Sequence, residues 1–178
     1  IDLEDVYNGA TRVITLRTPE ADAHGRVSMR THQLNVTIPR GIHAGQHIRL
    51  SGQGAPGIGQ GKAGDLYLEV AFNPHAHFRV EQRDVFLDLP LAPWEAALGA
   101  SVTVPTPNAA VDLKIPPNSR SGGKLRLKGR GIPGSTPGDF YVVLQVVLPA
   151  AESDADKALY ASMAEQFKSF KPRTGLGA

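Results

Sequence analysis

The chain has 178 residues, of which 20% are charged and none is cysteine, and its formal net charge is +2. This composition excludes disulfides and thiolate metal sites, and no apolar run approaches the roughly 20 residues that span a bilayer. Glycine and proline are spread along the chain, which predicts short elements separated by turns, as in an all-β protein. Without cysteine or a signal-peptide pattern we expect a cytoplasmic protein, and without an initiator methionine a fragment or a processed product.

The first predicted elements are a short helix that Gly9 ends and a long hairpin that runs to Ile38. Side chains alternate along the opening strand, so Arg12, Ile14 and Leu16 share one face. The other face also carries an apolar side chain, and two such faces cannot both enter one small core. Either an apolar row is left exposed as a binding edge, or Ile14 and Leu16 are simply core, and the pattern does not choose between these two.

The chain then repeats itself. Residues 38–56 align without a gap with residues 115–133, and eight of the nineteen positions are identical. Residues 64–72 match residues 138–146, and a second short helix ends at Gly99. We therefore predict one duplicated β unit, with apolar residues alternating on its strands and a separate core in each copy.

The repeat also bears on a glycine motif. The spacing Gly-x-Gly-x-x-Gly, typical of dinucleotide-binding turns, begins at Gly52 and again at Gly129. A Rossmann turn needs a helix that opens directly on it, whereas a strand led by Gly-Asp follows in both copies. We predict that these glycines allow a positive φ at the end of a hairpin strand.

These patterns predict an all-β fold of two tandem small β-sandwich domains followed by a short C-terminal α-helix. We place the first domain at residues 1–80, the second at residues 81–150, and the helix and tail at residues 151–178. Residues 74–78 and 81–84 are interpreted as a connector, and Trp94, in the second short helix, as a core anchor.

The tail is predicted to be helical from Ser153 to Lys171, because helix formers run through it, acids lie in its first turn and lysines in its last. Its large apolar side chains recur at helical spacing. Such a stripe either folds back on its own chain or pairs with a second copy, and we favour a homodimer. The stripe consists of Leu159, Tyr160, Met163, Phe167 and Phe170.

Two histidine pairs raise the question of a metal site. His43 with His47 and His75 with His77 have spacings that two ligands of one metal ion use, but no third ligand accompanies either pair. The sequence also shows no nucleophile elbow and no paired-carboxylate pattern. We therefore expect no metal, no cofactor and no enzymatic activity.

Six basic residues and no acid lie between positions 114 and 130, and several share the outer face of one strand. Such a strand either contacts DNA phosphates or presents a solvated face that discourages aggregation, and the pattern favours the second interpretation. The six residues are Lys114, Arg120, Lys124, Arg126, Lys128 and Arg130.

Three segments carry a family resemblance: "VTIPRGIHAGQHIRLSGQG", "GDLYLEV" and "IPPNSRSGGKLRLKGRG". They resemble the C-terminal region of DnaJ-type J-domain co-chaperones that lack a zinc module, and "PWEAALG" is most similar to the curved-DNA-binding branch. The resemblance implies two β-sandwich substrate-binding domains and a dimerisation helix. It implies binding of unfolded polypeptide, transfer to a DnaK-type chaperone, and, as an alternative, association with DNA and the nucleoid.

The resemblance also places sites on this chain. It implies a client groove along the first unit's opening strand, with one aromatic side chain at the far rim, and dimer contacts on the tail helix. The J-domain, with its His-Pro-Asp loop, is not in this sequence, so we expect this part of the protein not to stimulate the chaperone ATPase. The implied client residues are Arg12, Ile14, Leu16 and Phe78, and the implied dimer contacts are Tyr160 and Met163.

Overall fold

The computed structural model describes residues 1–21, 27–55, 57 and 61–174. Strands account for 38% of the residues and helices for 16%, so the predicted all-β class with a short C-terminal helix is confirmed. In this described part, no helix is both long and apolar enough to cross a membrane.

The first unit is a short helix followed by two antiparallel strand pairs. The first pair is a ribbon of two 12-residue strands, paired from Ala10 opposite Ile38 to Ala21 opposite Val27. The second pair is short and runs antiparallel as well. The elements are α1 (Leu3–Asn8), β1 (Ala10–Ala21), β2 (Val27–Ile38), β3 (His47–Leu50) and β4 (Leu66–Glu69).

The second unit repeats this order and adds a hairpin before it. One two-stranded sheet pairs β7 with β8, and a four-stranded sheet has the order β5-β6-β10-β9, in which β6 and β10 are parallel. The elements are β5 (Phe78–Glu81), β6 (Asp84–Leu91), α2 (Pro93–Leu98), β7 (Ala100–Val104), β8 (Val111–Ile115), β9 (Lys124–Leu127), β10 (Phe140–Val146) and, after them, α3 (Asp154–Gln166).

The interpretation of residues 74–78 and 81–84 as a connector is wrong for the second segment, which forms the turn end of a hairpin. β5 and β6 form a tight hairpin, and Gln82 in its turn has a φ of 57°. β6 then becomes a central strand of the second unit's sheet, with Val85 fully buried. Because β5 begins at Phe78 and pairs only with β6 in the described chain, a division after residue 80 would cut this strand.

The repeated glycines close hairpins, as predicted. Gly52 and Gly129 have φ values of 69° and 70°. The backbone N–H of Gly52 donates to the carboxylate of Asp65 at 2.9 Å, and that of Gly129 donates to Asp139 at 2.7 Å. The Gly-x-Gly spacing and the later Gly-Asp pair therefore belong to one structural device, used once in each unit, and not to a nucleotide site.

The buried apolar side chains form one contiguous cluster that includes both units, from Val36 on β2 to Phe140 on β10. The prediction of a separate core in each copy is therefore wrong. A polar contact also joins the two units, since the Tyr7 hydroxyl of the first unit donates to the backbone carbonyl of Arg130 in the second unit at 3.2 Å.

Trp94 is not a core anchor, because its side chain is 58% exposed. The helix α2 is only six residues long and buries Ala96 against the core. Trp94, two positions earlier, projects from another side of the helix, toward α3, where it lines a crevice with Leu159 and Met163.

The helix α3 begins as predicted and ends earlier. The Ser153 hydroxyl accepts the Asp156 backbone N–H at 3.1 Å, and the Asp156 carboxylate accepts the Ser153 N–H at 2.9 Å, which closes a capping box. Phe167 caps the other end, so Phe170 lies beyond the helix in a turn. Pro172 lies five residues beyond this end and does not account for it, because a proline restricts only the residue before it and the hydrogen bonds of the preceding turn.

Candidate functional site

The opening ribbon carries the predicted client residues on one face. Ile14 lies opposite Leu34 and Leu16 lies opposite His32, and all four side chains are half-buried. Ile14 and Leu34 pack against the apolar cluster, which positions the base of this face. We call Ile14, Leu16 and Leu34 the apolar ribbon face. Neither alternative from the sequence holds in full, because the row is partly core and partly open to solvent.

The opposite face of the ribbon is polar and exposed. Thr15 lies opposite Gln33 and Val13 lies opposite Asn35, and Val13 is 59% exposed. Alternation along the strand therefore separates Val13 from the apolar ribbon face, although the residues are neighbours in sequence.

Arg12 lies at the base of the apolar ribbon face and is held in place by α1. Its guanidinium donates to Asp5 and to Asp2, with Nε–Oδ2 and Nη2–Oδ2 distances of 3.0 Å. The hydrogen bond to Asp5 raises the pKa of Arg12, and the amide of Asn73 lowers the pKa of Asp2. The ion pairs fix a permanent cation beside an apolar surface while the side chain stays about half exposed.

The ribbon also offers backbone hydrogen-bonding groups. Within the described residues, β1 and β2 pair only with each other, so each is an edge strand that no third strand joins. An extended peptide can add to such an edge through main-chain hydrogen bonds while its alternate side chains meet the face.

Phe78, which the resemblance places at the groove rim, is largely buried, although it lines a crevice with Phe72 and Val80. Its side chain is 8% exposed, stacks on the His75 ring with centroids 4.7 Å apart, and meets Phe140 edge-on. The reason is that β5 pairs with β6 and turns Phe78 toward the core. A ring buried in this way offers little surface to a client, and we leave Phe78 out of the surface proposed below.

The histidines are used in local structure. His75 Nδ1 accepts the backbone N–H groups of His77 and Phe78 at 3.0 and 3.1 Å, and its Nε2 lies 3.1 Å from the Glu4 carboxylate. These bonds tie the segment between the two units to α1. Among the described residues, no group of three or more histidine and carboxylate side chains is arranged to hold a metal ion.

The predicted dimer residues form an exposed apolar surface at the end of the second unit. Tyr160 anchors α3 to its own chain, because its hydroxyl donates to the carbonyl of Pro149 at 2.6 Å. No residue of α3 is buried. Leu159, Met163, Phe167 and Phe170 are all largely exposed.

The six basic residues do not form a single row. Lys124 and Arg126 lie side by side on the exposed face of β9, and Lys128 and Arg130 follow in the turn after it. Arg126 is engaged in an ion pair with Asp139 at 2.6 Å.

The other two members of the basic group lie elsewhere. Lys114 is on β8, which belongs to a different sheet, and Arg120 lines a crevice beside α3. The basic surface predicted from the sequence is therefore reduced to the β9 residues and the turn that follows.

The sequence missed a row of side chains across the four-stranded sheet. Arg79, Phe86, Tyr141 and Arg126 lie directly opposite one another on successive strands. The two rings stack with centroids 5.0 Å apart, and Arg79 and Lys124 each lie 5.6 Å from the centre of the Phe86 ring. The row joins four different strands, so no local pattern in the sequence reveals it.

Comparison with known proteins agrees with this architecture. The family model described as "DnaJ C terminal domain" matches residues 1–149. A curved DNA-binding protein of Coxiella burnetii (strain Dugway 5J108-111) is 52% identical over 177 residues, which is 99% of this chain and 56% of the relative. One of Pseudomonas syringae pv. tomato is 42% identical over 174 residues, which is 96% of this chain and 55% of the relative.

The chain thus spans a little over half the length of these curated relatives. The family match includes α1, the ribbon, both units and their shared apolar cluster, and it ends just before the segment that leads into α3. The protein belongs to the DnaJ C-terminal domain family.

Proposed function

We propose that this chain binds non-native polypeptide on the apolar ribbon face and the adjoining strand edge, and that α3 joins two copies. The chain would act as the client-binding, dimerising part of a DnaJ-like co-chaperone that works with a DnaK-type chaperone. The observation that carries the proposal is that Ile14 and Leu16 are half-buried, and so partly open to solvent, on a ribbon of two 12-residue strands that no third strand joins in the described chain.

The physical chemistry of the ribbon suits an extended client. Main-chain bonds to an open edge are independent of client sequence, and apolar contacts every second residue favour hydrophobic segments. An unfolded client loses chain entropy on capture, so each contact is weak. Two ribbons in one dimer raise the effective concentration for the second contact, so the overall affinity for one client chain exceeds that of either ribbon alone.

Aggregation suppression tests this proposal. We expect Ile14→Ser together with Leu16→Ser to abolish the ability of the chain to keep a denatured client in solution, because the apolar contacts are lost. The matched control is Val13→Ser together with Thr15→Ser, which changes the same strand on its polar face and should retain suppression. Far-UV circular dichroism would establish that both variants keep the fold.

Equal suppression by the two double variants would reject the apolar ribbon face as the client surface. A loss in both variants would point to the ribbon edge or to a more general surface, and would reject the role assigned to Ile14 and Leu16.

DNA binding is a second candidate function, favoured by a different observation. The relatives named above are called curved DNA-binding proteins. Lys124, the first residue of β9, and Lys128, which follows its last residue, are both exposed. Lysines of this kind contact phosphates without reading sequence. We infer that any DNA contact made by this part of the chain would use these lysines, so that replacing them should weaken the salt dependence of DNA affinity.

A further inference from the structure

The short helix α2 exposes two large apolar side chains on one side. Trp94 and Leu98 are four residues apart, which places them on the same face of the helix. Trp94 is 58% exposed and Leu98 is 78% exposed. A tryptophan left this open beside other exposed apolar residues marks an interaction surface more often than an isolated surface residue.

Two apolar crevices connect α2 to α3. The smaller, of about 300 Å³, is lined by Trp94 and Leu159, and the larger, of about 980 Å³, is lined by Ala97 and Phe167. Met163 lines both crevices, so α3 forms a ridge with an apolar depression on either side. A ridge beside a depression is the shape that a two-fold symmetric, self-complementary interface requires.

The charges on and after α3 favour a second copy as the occupant. At its start, Glu152, Asp154 and Asp156 outnumber Lys157, which pairs with Asp154. At and after its end, Lys168, Lys171 and Arg173 outnumber Glu165, which pairs with Lys168. Two such helices packed antiparallel place the acidic start of one beside the basic end of the other, and their dipoles are also opposed favourably.

The exposed apolar area is sufficient for such a pairing. On the scale of 150–250 Å² for each aromatic side chain, the open parts of the six residues amount to roughly 700 Å². A standard interface buries about 800 Å² on each partner. The six residues are Trp94, Leu98, Leu159, Met163, Phe167 and Phe170.

From these observations we infer that α2 is part of the dimer surface, and that α3 of a second copy packs across Trp94 and Leu98. The inference rests on the proposed dimerisation and goes further, because it assigns the partner helix a docking place on the second β unit. The tail helices alone would then be an incomplete interface, and Trp94 would be buried only in the dimer.

The chain carries its own probe, because Trp94 is its one tryptophan. Sedimentation equilibrium and tryptophan emission are measured on the same dilution series of the wild-type chain. As the dimer fraction rises, we expect the emission maximum to move to shorter wavelength and acrylamide quenching to fall, both with the dissociation constant that sedimentation gives.

The two proposals fail in different ways. A chain that dimerises by sedimentation while Trp94 keeps the emission and quenching of the dilute monomer would overturn the assignment of α2 and leave dimerisation standing. A chain that stays monomeric at every concentration would overturn dimerisation itself, and the α2 assignment with it.

A variant pair provides the second readout. Leu98→Asp places a charge on the exposed face of α2, and we expect the dimer dissociation constant to rise at least about tenfold. Val13→Asp, an equally conspicuous apolar-to-charged change on the remote ribbon, should leave the constant unchanged. Equal dissociation constants for Leu98→Asp and the wild type would contradict the inference.

Discussion

Arg126 and Asp139 form a clasp across the β9–β10 hairpin, with Nε of the arginine 2.6 Å from a carboxylate oxygen. The other carboxylate oxygen accepts the backbone N–H of Gly129. Arg49 and Asp65 form the same clasp in the first unit, with an Nε–Oδ2 distance of 2.7 Å. The duplicated glycine motif therefore serves the fold, and each carboxylate is kept ionised by its partners.

The clasps predict how stability changes in acid. The hydrogen bond from Gly52 and then Arg49 lower the pKa of Asp65, and Gly129 and then Arg126 lower the pKa of Asp139. A carboxylate with a lowered pKa in the folded state stabilises the fold above its unfolded pKa of about 3.9. That contribution is lost as the pH falls through the folded pKa, so we expect stability to decline with falling pH in this window.

Urea unfolding between about pH 5 and pH 2 measures this dependence. In the variant with Asp65→Asn and Asp139→Asn, the free energy of unfolding should be lower at pH 5 and should change less with pH below it. A pH dependence equal to that of the wild type would show that other carboxylates are responsible. Asp88→Asn, at an exposed carboxylate outside both clasps, is the matched control.

The positive φ of Gly129 predicts a cost for any side chain there. Gly129→Ala should lower the free energy of unfolding by about 1–2 kcal/mol, because alanine is strained in this conformation. Gly64→Ala is the matched control, since its φ is not positive and a Cβ there would lie 3.9 Å from the nearest atom. Chemical denaturation of both variants checks the prediction, and equal stabilities would refute the role given to Gly129.

The Tyr7 hydroxyl is expected to stabilise the boundary between the units. Burial raises the pKa of Tyr7, and its hydroxyl donates to the Arg130 carbonyl. Tyr7→Phe should cost about 1 kcal/mol, the usual net contribution of one hydrogen bond. Tyr67→Phe, at an exposed tyrosine of β4, should have little effect. Thermal unfolding of the two variants distinguishes them, and a neutral Tyr7→Phe would show that the bond contributes nothing.

The salt dependence of DNA affinity tests the second candidate function. If Lys124 and Lys128 each contact a phosphate, Lys124→Ala with Lys128→Ala should reduce the slope of log affinity against log salt by about 2. Lys62→Ala with Lys157→Ala removes the same charge elsewhere and should leave the slope unchanged. Fluorescence anisotropy with duplex DNA measures both slopes. An unaltered slope in the first variant would remove these lysines from any DNA contact.

The strands that were predicted from the sequence are those in which one face is exposed to solvent. Alternation identified Ile14 and Leu16 on β1 and Leu125 and Leu127 on β9, because apolar and polar residues alternate along a strand that buries only one face. β6 was missed because it lies outside the repeat and, as a central strand, it shows three successive buried residues, Val85 to Leu87, in place of a clean alternation.

The errors at the sites have a common origin in tertiary context. Tryptophan and phenylalanine are usually buried. Trp94, predicted to be a core anchor, is 58% exposed, whereas Phe78, which the resemblance places at a groove rim, is 8% exposed. Neither outcome is visible in local pattern, since each depends on which elements pack beside the residue. The α3 stripe was predicted because helical spacing is local, whereas its end at Phe167 was missed because helix formers continue in the sequence to Lys171.

The most direct measurement of client binding is site-specific photo-crosslinking of a labelled, denatured client. A photoreactive residue replaces Leu16 in one preparation and Val13 in another. We predict strong crosslinking from position 16 and little from position 13, although Val13 is the more exposed of the two side chains. Equal or stronger crosslinking from position 13 would contradict the client surface proposed for this protein.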